Sequence, residues 1–156
     1  MDKKNFYDLN FDQLKNFLIE KINVDTNKAR MRAQQMFNAV YKKNIKNFDE
    51  LTTFNLNLRE KIKELISLAK PKIADIQKSK DGTIKFLLEL KDKRNVETVL
   101  IPDKSQSRYT ICLSVSVGCY LSCEFCATAQ ISKKLVRNLS PGEIISQIIL
   151  CKDYID

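Results

Sequence analysis

The chain of 156 residues has no histidine, which removes the usual nitrogen ligand from any zinc site. It has no apolar run of the about 18 residues that a membrane-spanning helix requires, so no membrane partner is expected. The opening MDKKNFYDLN lacks the apolar core of a secretory signal. Its five cysteines are an odd number, which argues against a disulfide framework and for a reducing, cytoplasmic setting. There is no internal repeat and no low-complexity tract.

Apolar residues make up 44%, enough for a core, and the length suits one domain or two small ones. Lys and Arg number 27 against 19 Asp and Glu, a net charge of +8. That balance suits a polyanionic partner such as RNA. A Lys-rich solvated surface produces the same count, so charge alone leaves both readings open.

Residues 10–70 carry helical periodicity. Asn10 and Gln13 form a capping-box pair ahead of Phe11, Leu14, Leu18 and Ile22. Asp25 or Thr26 can cap a second helix with Ala29, Ala33, Met36, Phe37 and Val40 on one face. Its other surface bears Lys28, Arg30, Arg32, Lys42 and Lys43, which can reach RNA phosphates. A third helix is expected from Leu56 to Leu68, with Leu58, Ile62, Leu65 and Ile66 inward and Pro71 as its stop.

From Pro71 the pattern becomes extended. KIADIQKS and TIKFLLEL flank Lys80-Asp81-Gly82, a hairpin turn signal. VETVLIP reads as a strand ended by Pro102, followed by a polar loop from Asp103 to Ser107. YTICLSVSV reads as one buried strand running to Gly118, which allows a tight turn. Beyond a basic-apolar loop, Ser140-Pro141-Gly142-Glu143 supplies an N-cap, a proline at the first helical position and a glutamate at the third. The helix that follows is expected to pack through Ile144, Ile145, Ile148 and Ile149.

Cys119, Cys123 and Cys126 in VGCYLSCEFCATAQ have the spacing Cys-x3-Cys-x2-Cys, with Phe125 just before the last. Three thiols this close in one loop suggest a shared metal or cluster. Iron–sulfur clusters take thiolate ligands, and three of them leave one iron of a 4Fe-4S cubane open. A closed zinc site with Cys112 as fourth ligand, disulfides, or buried structural thiols are the alternatives, and the last is the reading for Cys151.

The cysteine spacing resembles that of the radical S-adenosylmethionine (SAM) enzymes. With ARMRAQQMFNAVYKK, DGTIKFLLEL and VETVLIP before it and RNLSPGEIxxQ after it, the chain resembles the radical SAM RNA methyltransferases that methylate carbon 2 of adenine in 23S rRNA and some tRNAs. The resemblance implies an α/β fold: a small N-terminal helical accessory domain, then the start of a partial (β/α)6 barrel. On this reading residues 1–70 are the RNA-binding accessory domain, 71–107 a hairpin and strand region, and 108–156 the start of the barrel with its iron–sulfur loop.

The same resemblance implies cluster ligation by Cys119, Cys123 and Cys126, and contact of Phe125 with the SAM adenine. It implies Glu97 as proton acceptor and Cys112 in adduct resolution. On the residues alone, Glu97 reads equally as a solvent-facing strand glutamate and Cys112 as a small buried apolar side chain. Further implied partners are 23S rRNA, tRNA and an electron-donor protein.

Ser114-Val115-Ser116 and Ile131-Ser132-Lys133-Lys134 depart from the family's usual residues. The family's later strands, its SAM-binding glycine–glutamate motif and its late methyl-carrying cysteine have no counterpart here. The expectation is a truncated or split copy, inactive in methyl transfer unless a second polypeptide supplies the missing barrel. The competing expectation is a stand-alone RNA-binding or iron–sulfur protein without methyl transfer.

Overall fold

The computed structural model describes residues 3–103, 105–121, 123–126 and 135–155. Two compact units divide between Ala69 and Lys70.

The first unit is helical: α1 (Phe11–Glu20), α2 (Thr26–Phe37) and α3 (Leu56–Leu65). Each begins on a polar cap. Asn10 and Gln13 form the capping box, with both bonds at 2.9 Å. Asp25 accepts from the Asn27 N–H at 2.7 Å and Asn55 from the Leu58 N–H at 2.9 Å. These caps satisfy donors that the first helical turn leaves unpaired.

The faces so aligned bury Leu14, Leu18, Ala29, Ala33, Met36 and Ile62. Phe6 joins that core, 5.4 Å from the Phe37 ring and 5.8 Å from that of Tyr41. α3 ends at Leu65, short of the expected Leu68. Ile66 turns extended instead, and β2 (Ile66–Ser67) pairs parallel with β1 (Lys4–Asn5). The pairing with β1 supplies backbone partners that a further helical turn would otherwise have supplied.

The second unit is a four-stranded antiparallel sheet in the order β3 (Lys72–Lys78), β4 (Ile84–Glu89), β5 (Asn95–Asp103), β6 (Arg108–Cys112). The β3–β4 turn is the expected hairpin, with Gly82 at φ +97. β5 alternates strictly, burying Val96, Thr98 and Leu100 and turning Glu97 and Ile101 outward. It runs through Pro102 rather than ending there. Pairing with β4 stops at Leu100, so Pro102 has a strand on one side only, where a missing N–H is tolerated.

The helix α4 (Pro141–Ile155) covers the inner face. Leu150 and Cys151 pack with Phe86, Leu88 and Leu100, and Tyr154 meets Phe86 edge-on at 5.0 Å. Of the isoleucines expected inward, Ile149 is buried while Ile148 is 41% exposed. The polar Gln147 and Ser146 take buried places on the helix instead.

YTICLSVSV is not one buried strand. It breaks after Cys112, resumes as β7 (Ser116–Val117), and is mostly exposed or half-buried. β7 pairs antiparallel with β8 (Arg137–Asn138). The structure is thus a mixed helix and sheet fold, with no closed barrel among the described residues.

Candidate metal centre and active-site face

The cysteine loop has a firm base. Ser116 pairs with Asn138 and Val117 with Arg137. Two further backbone bonds, Val136 N–H to Val117 O and Leu139 N–H to Val115 O, each 2.9 Å, continue that ladder. Gly118 follows at φ +77, a left-handed conformation that a side chain disfavours, and delivers the chain to Cys119.

Cys119, Cys123 and Cys126 are half-buried thiols, and none of the five cysteines forms a disulfide. The Cys126 N–H donates to the Cys123 carbonyl at 3.0 Å, a tight turn between the last two. The Leu121 N–H lies 3.4 Å from Cys119 Sγ. Amide hydrogen bonds to sulfur are among the features that tune an iron–sulfur cluster, so the donor set fits one chemically. The three thiols are not drawn together, however. Among the described residues no three Cys, Asp or Glu side chains converge as metal ligands, and Cys112 does not join the loop as a fourth.

Phe125 is 92% exposed, and Tyr120 and Leu121 of the same loop are exposed as well. An aromatic face left open in this way is available to stack on a planar ligand. Gln130 and the other residues of 127–134, including Ile131-Ser132-Lys133-Lys134, lie outside the described residues.

Glu97 and Cys112 share the outer face of the sheet. Cys112 pairs with Val99, two positions along β5 from Glu97, so the two are diagonal cross-strand neighbours about 7–8 Å apart. Both are exposed, which removes the reading of Cys112 as a buried apolar side chain. The Glu97 carboxylate is held by Lys85 Nζ at 3.0 Å, on the neighbouring strand β4. Lys85 escaped the sequence reading, although its place in TIKFLLEL at an outward position of an alternating strand was the available signal.

Cys151, read as structural, is fully buried, and burial pushes its thiol up to about 11. Arg137, the first residue of RNLSPGEIxxQ, has no role of its own in the sequence reading. Its guanidinium donates to Glu143 Oε2 at 2.7 Å, to Glu143 Oε1 at 2.8 Å and to Asp92 at 2.9 Å. Arg137 holds the carboxyls of Glu143 and Asp92 below the usual range.

In the helical unit, Arg32 is internally committed rather than free for phosphates. Its Nη1 donates to Gln35 at 3.0 Å and to the Thr53 carbonyl at 3.2 Å, and the guanidinium lies 4.8 Å above the Phe54 ring. Lys28, Arg30, Lys42 and Lys43 are exposed. No helix among the described residues is long and apolar enough to cross a membrane.

Residues 4–68 match the family model described as the ribosomal RNA large subunit methyltransferase N-terminal domain. The chain is 38% identical, over 95% of its length, to the dual-specificity RNA methyltransferase RlmN of Oleidesulfovibrio alaskensis, and 39% identical over 96% to that of Campylobacter fetus. It spans about two-fifths of the length of either relative. A solved radical SAM methyltransferase from Sphaerobacter thermophilus matches 97% of the chain at a TM-score of 0.82 and 31% identity, with 42% of that structure covered. Residues 4–68 are thus similar to the N-terminal domain of the ribosomal RNA large subunit methyltransferases, and the chain is similar, along nearly its whole length, to the N-terminal portion of the RlmN methyltransferases.

Proposed function

We propose that the chain acts as the N-terminal portion of a radical SAM RNA methyltransferase that methylates carbon 2 of adenine in 23S rRNA and tRNA. The observation that carries this reading is the Cys119-x3-Cys123-x2-Cys126 loop, with Phe125 before its last cysteine, set between β7 and α4 in a chain so similar to these relatives. The strand, loop and helix in that order are read as the first β/α unit of a partial (β/α)6 barrel, whose ligand sites lie beyond strand C-termini.

Cys119, Cys123 and Cys126 would hold a 4Fe-4S cluster through three thiolates, leaving one iron for SAM. When bound, the cluster and SAM together supply reductive cleavage of the sulfonium and hence radical chemistry. Phe125 offers its exposed ring to the SAM adenine. Glu97, held in place by Lys85, is the proton acceptor from the modified adenine, within reach of a substrate laid on the open sheet face. Cys112, on that same face, is read as the residue that acts on the adduct as it resolves, a role supported only by its register on the sheet.

The exposed lysines and Arg30 of the helical unit, residues 1–70, would contact phosphates, which position RNA without reading its bases. The remaining assignments follow the same reading: 71–107 joins that unit to the barrel portion at 108–156, an electron-donor protein reduces the cluster, and the setting is cytoplasmic. Methyl transfer draws on what the relatives carry beyond the matched length.

The test is anaerobic iron–sulfur reconstitution, followed by electron paramagnetic resonance with and without SAM. A reduced cubane signal that shifts on adding SAM supports the reading. No cluster, or one indifferent to SAM, leaves the similarity as ancestry alone.

A further inference from the structure

Gln147 is fully buried on α4. A primary amide offers two donor hydrogens and two acceptor lone pairs. All four are used here. Oε1 accepts from Thr98 Oγ1 at 2.7 Å and from the Ser114 N–H at 3.0 Å. Nε2 donates to the Ser114 carbonyl at 2.9 Å and to the Glu143 carbonyl at 3.1 Å. The pattern fixes the amide's orientation. With oxygen and nitrogen exchanged, one donor would face the Ser114 N–H and the oxygen would face two carbonyls.

Ser114 lies between β6 and β7, where the chain belongs to neither ladder. Gln147 gives its N–H and its carbonyl the partners that a neighbouring strand would give. Ser114 continues the β5–β6 register to the position opposite Glu97, and its hydroxyl donates to the Glu97 carbonyl at 2.6 Å. One buried amide therefore joins three parts: β5 at Glu97 and Thr98, the segment that enters the cysteine loop, and α4.

We infer that Gln147 is a positioning residue. Through Ser114 it fixes the strand that enters the Cys119–Cys126 loop in register with Glu97, so that the proton acceptor and the cluster ligands keep one geometry. The inference rests on the roles given above to Glu97 and the three cysteines. A leucine of similar size would fill the volume, whereas a fully satisfied amide specifies a single arrangement of the backbone around it.

The experiment uses the whole 156-residue chain as native protein and as Gln147→Leu, Gln147→Glu and Leu150→Ala. Leu150→Ala empties part of the same core without touching the network, and so controls for lost stability. Gln147→Glu keeps the acceptor and loses both donors, and serves if the leucine variant does not fold. Two readouts are taken below every variant's melting range: amide hydrogen exchange around Thr98 and Ser114, and the SAM response of the reconstituted cluster by electron paramagnetic resonance.

The expected result is an increase of about tenfold or more in exchange at Ser114 in both Gln147 variants, with an altered or absent SAM response. Leu150→Ala keeps native local exchange and a native response. Equal losses in Leu150→Ala and the Gln147 variants, or native behaviour in Gln147→Leu, overturn the inference. If the native chain takes up no cluster, the reading of the three cysteines fails. Exchange then decides alone: protection lost at Ser114 only in the Gln147 variants upholds the positioning of the strand, and uniform loss overturns it.

Discussion

The Arg137 guanidinium grips both oxygens of the Glu143 carboxylate, at 2.7 and 2.8 Å, immediately outside the cysteine loop. Glu143 also closes the capping box of α4. Its Oε2 accepts from the Ser140 N–H at 2.9 Å, and its own N–H donates to Ser140 Oγ at 3.1 Å. One carboxylate thus ties the loop's exit to the start of the helix that covers the sheet.

Glu143→Gln should therefore cost about 1–2 kcal/mol at neutral pH, from a lost fork and a weakened cap. The pH dependence has a definite sign. Arg137, chiefly by hydrogen bonding, depresses the folded-state pKa of Glu143, so its stabilisation is present above the ordinary carboxylate value near 4.3. It is lost as pH falls through the depressed folded value. Chemical denaturation of both proteins at pH 7 and pH 3 checks this: the gap between them should narrow in acid, and a gap independent of pH would refute the assignment.

Thr98→Val is nearly isosteric and keeps a β-branched residue in β5. It removes one donor from Gln147 Oε1, which still accepts from the Ser114 N–H. The expected cost is about 1 kcal/mol. Gln147→Leu strands the Thr98 hydroxyl and both backbone groups of Ser114, so it should cost about twice that or more. Urea midpoints for the two variants test the ranking, which follows from the number of orphaned groups.

Cys151 and Cys112 should differ sharply toward alkylation. Cys112 is exposed, whereas Cys151 is fully buried and its thiol is pushed up to about 11. In the metal-free native chain at pH 8, iodoacetamide should label Cys112 and spare Cys151 until denaturant is added, as read by peptide mass spectrometry. Burial raises the folded-state pKa, so the thiol costs nothing below its unfolded value near 8.5. Its contribution is lost as pH climbs from there toward 11. Cys151→Ala should remove that part of the alkaline decline in stability.

Local signals in the sequence were readable because their physics is local. The Asn10–Gln13 and Ser140–Glu143 boxes and the Asp81-Gly82 turn involve residues within a few positions of one another, and all three form. The break in YTICLSVSV was not readable. A β-branched run suits one long strand or two short ones, and the choice was made by Gln147, 33 positions away, and by the β7–β8 ladder. The end of α3 depended in the same way on the distant Lys4–Asn5 strand. For the site, the cysteine spacing was plain, and the outward face of Glu97 followed from the alternation of its strand. The partners that hold these residues were set at long range: Lys85 and Ser114 by cross-strand register, and Gln147 by the packing of α4 on the sheet, neither of which a local pattern encodes.

At Gly82 a single methyl group would meet two obstacles. Its φ of +97 lies in the region that side chains disfavour, and a Cβ built there would sit 3.2 Å from Pro102 Cγ. Asp81 reinforces the same turn by accepting from the Thr83 N–H at 2.9 Å and the Thr83 hydroxyl at 3.0 Å. Gly82→Ala combines backbone strain with a tight contact and should destabilise the second unit by about 1–3 kcal/mol. Gly82→Asn should cost less, because asparagine tolerates positive φ better than alanine does. Thermal melts of the two variants decide the matter: equal losses would mean that the contact with Pro102, rather than the backbone conformation, governs this turn.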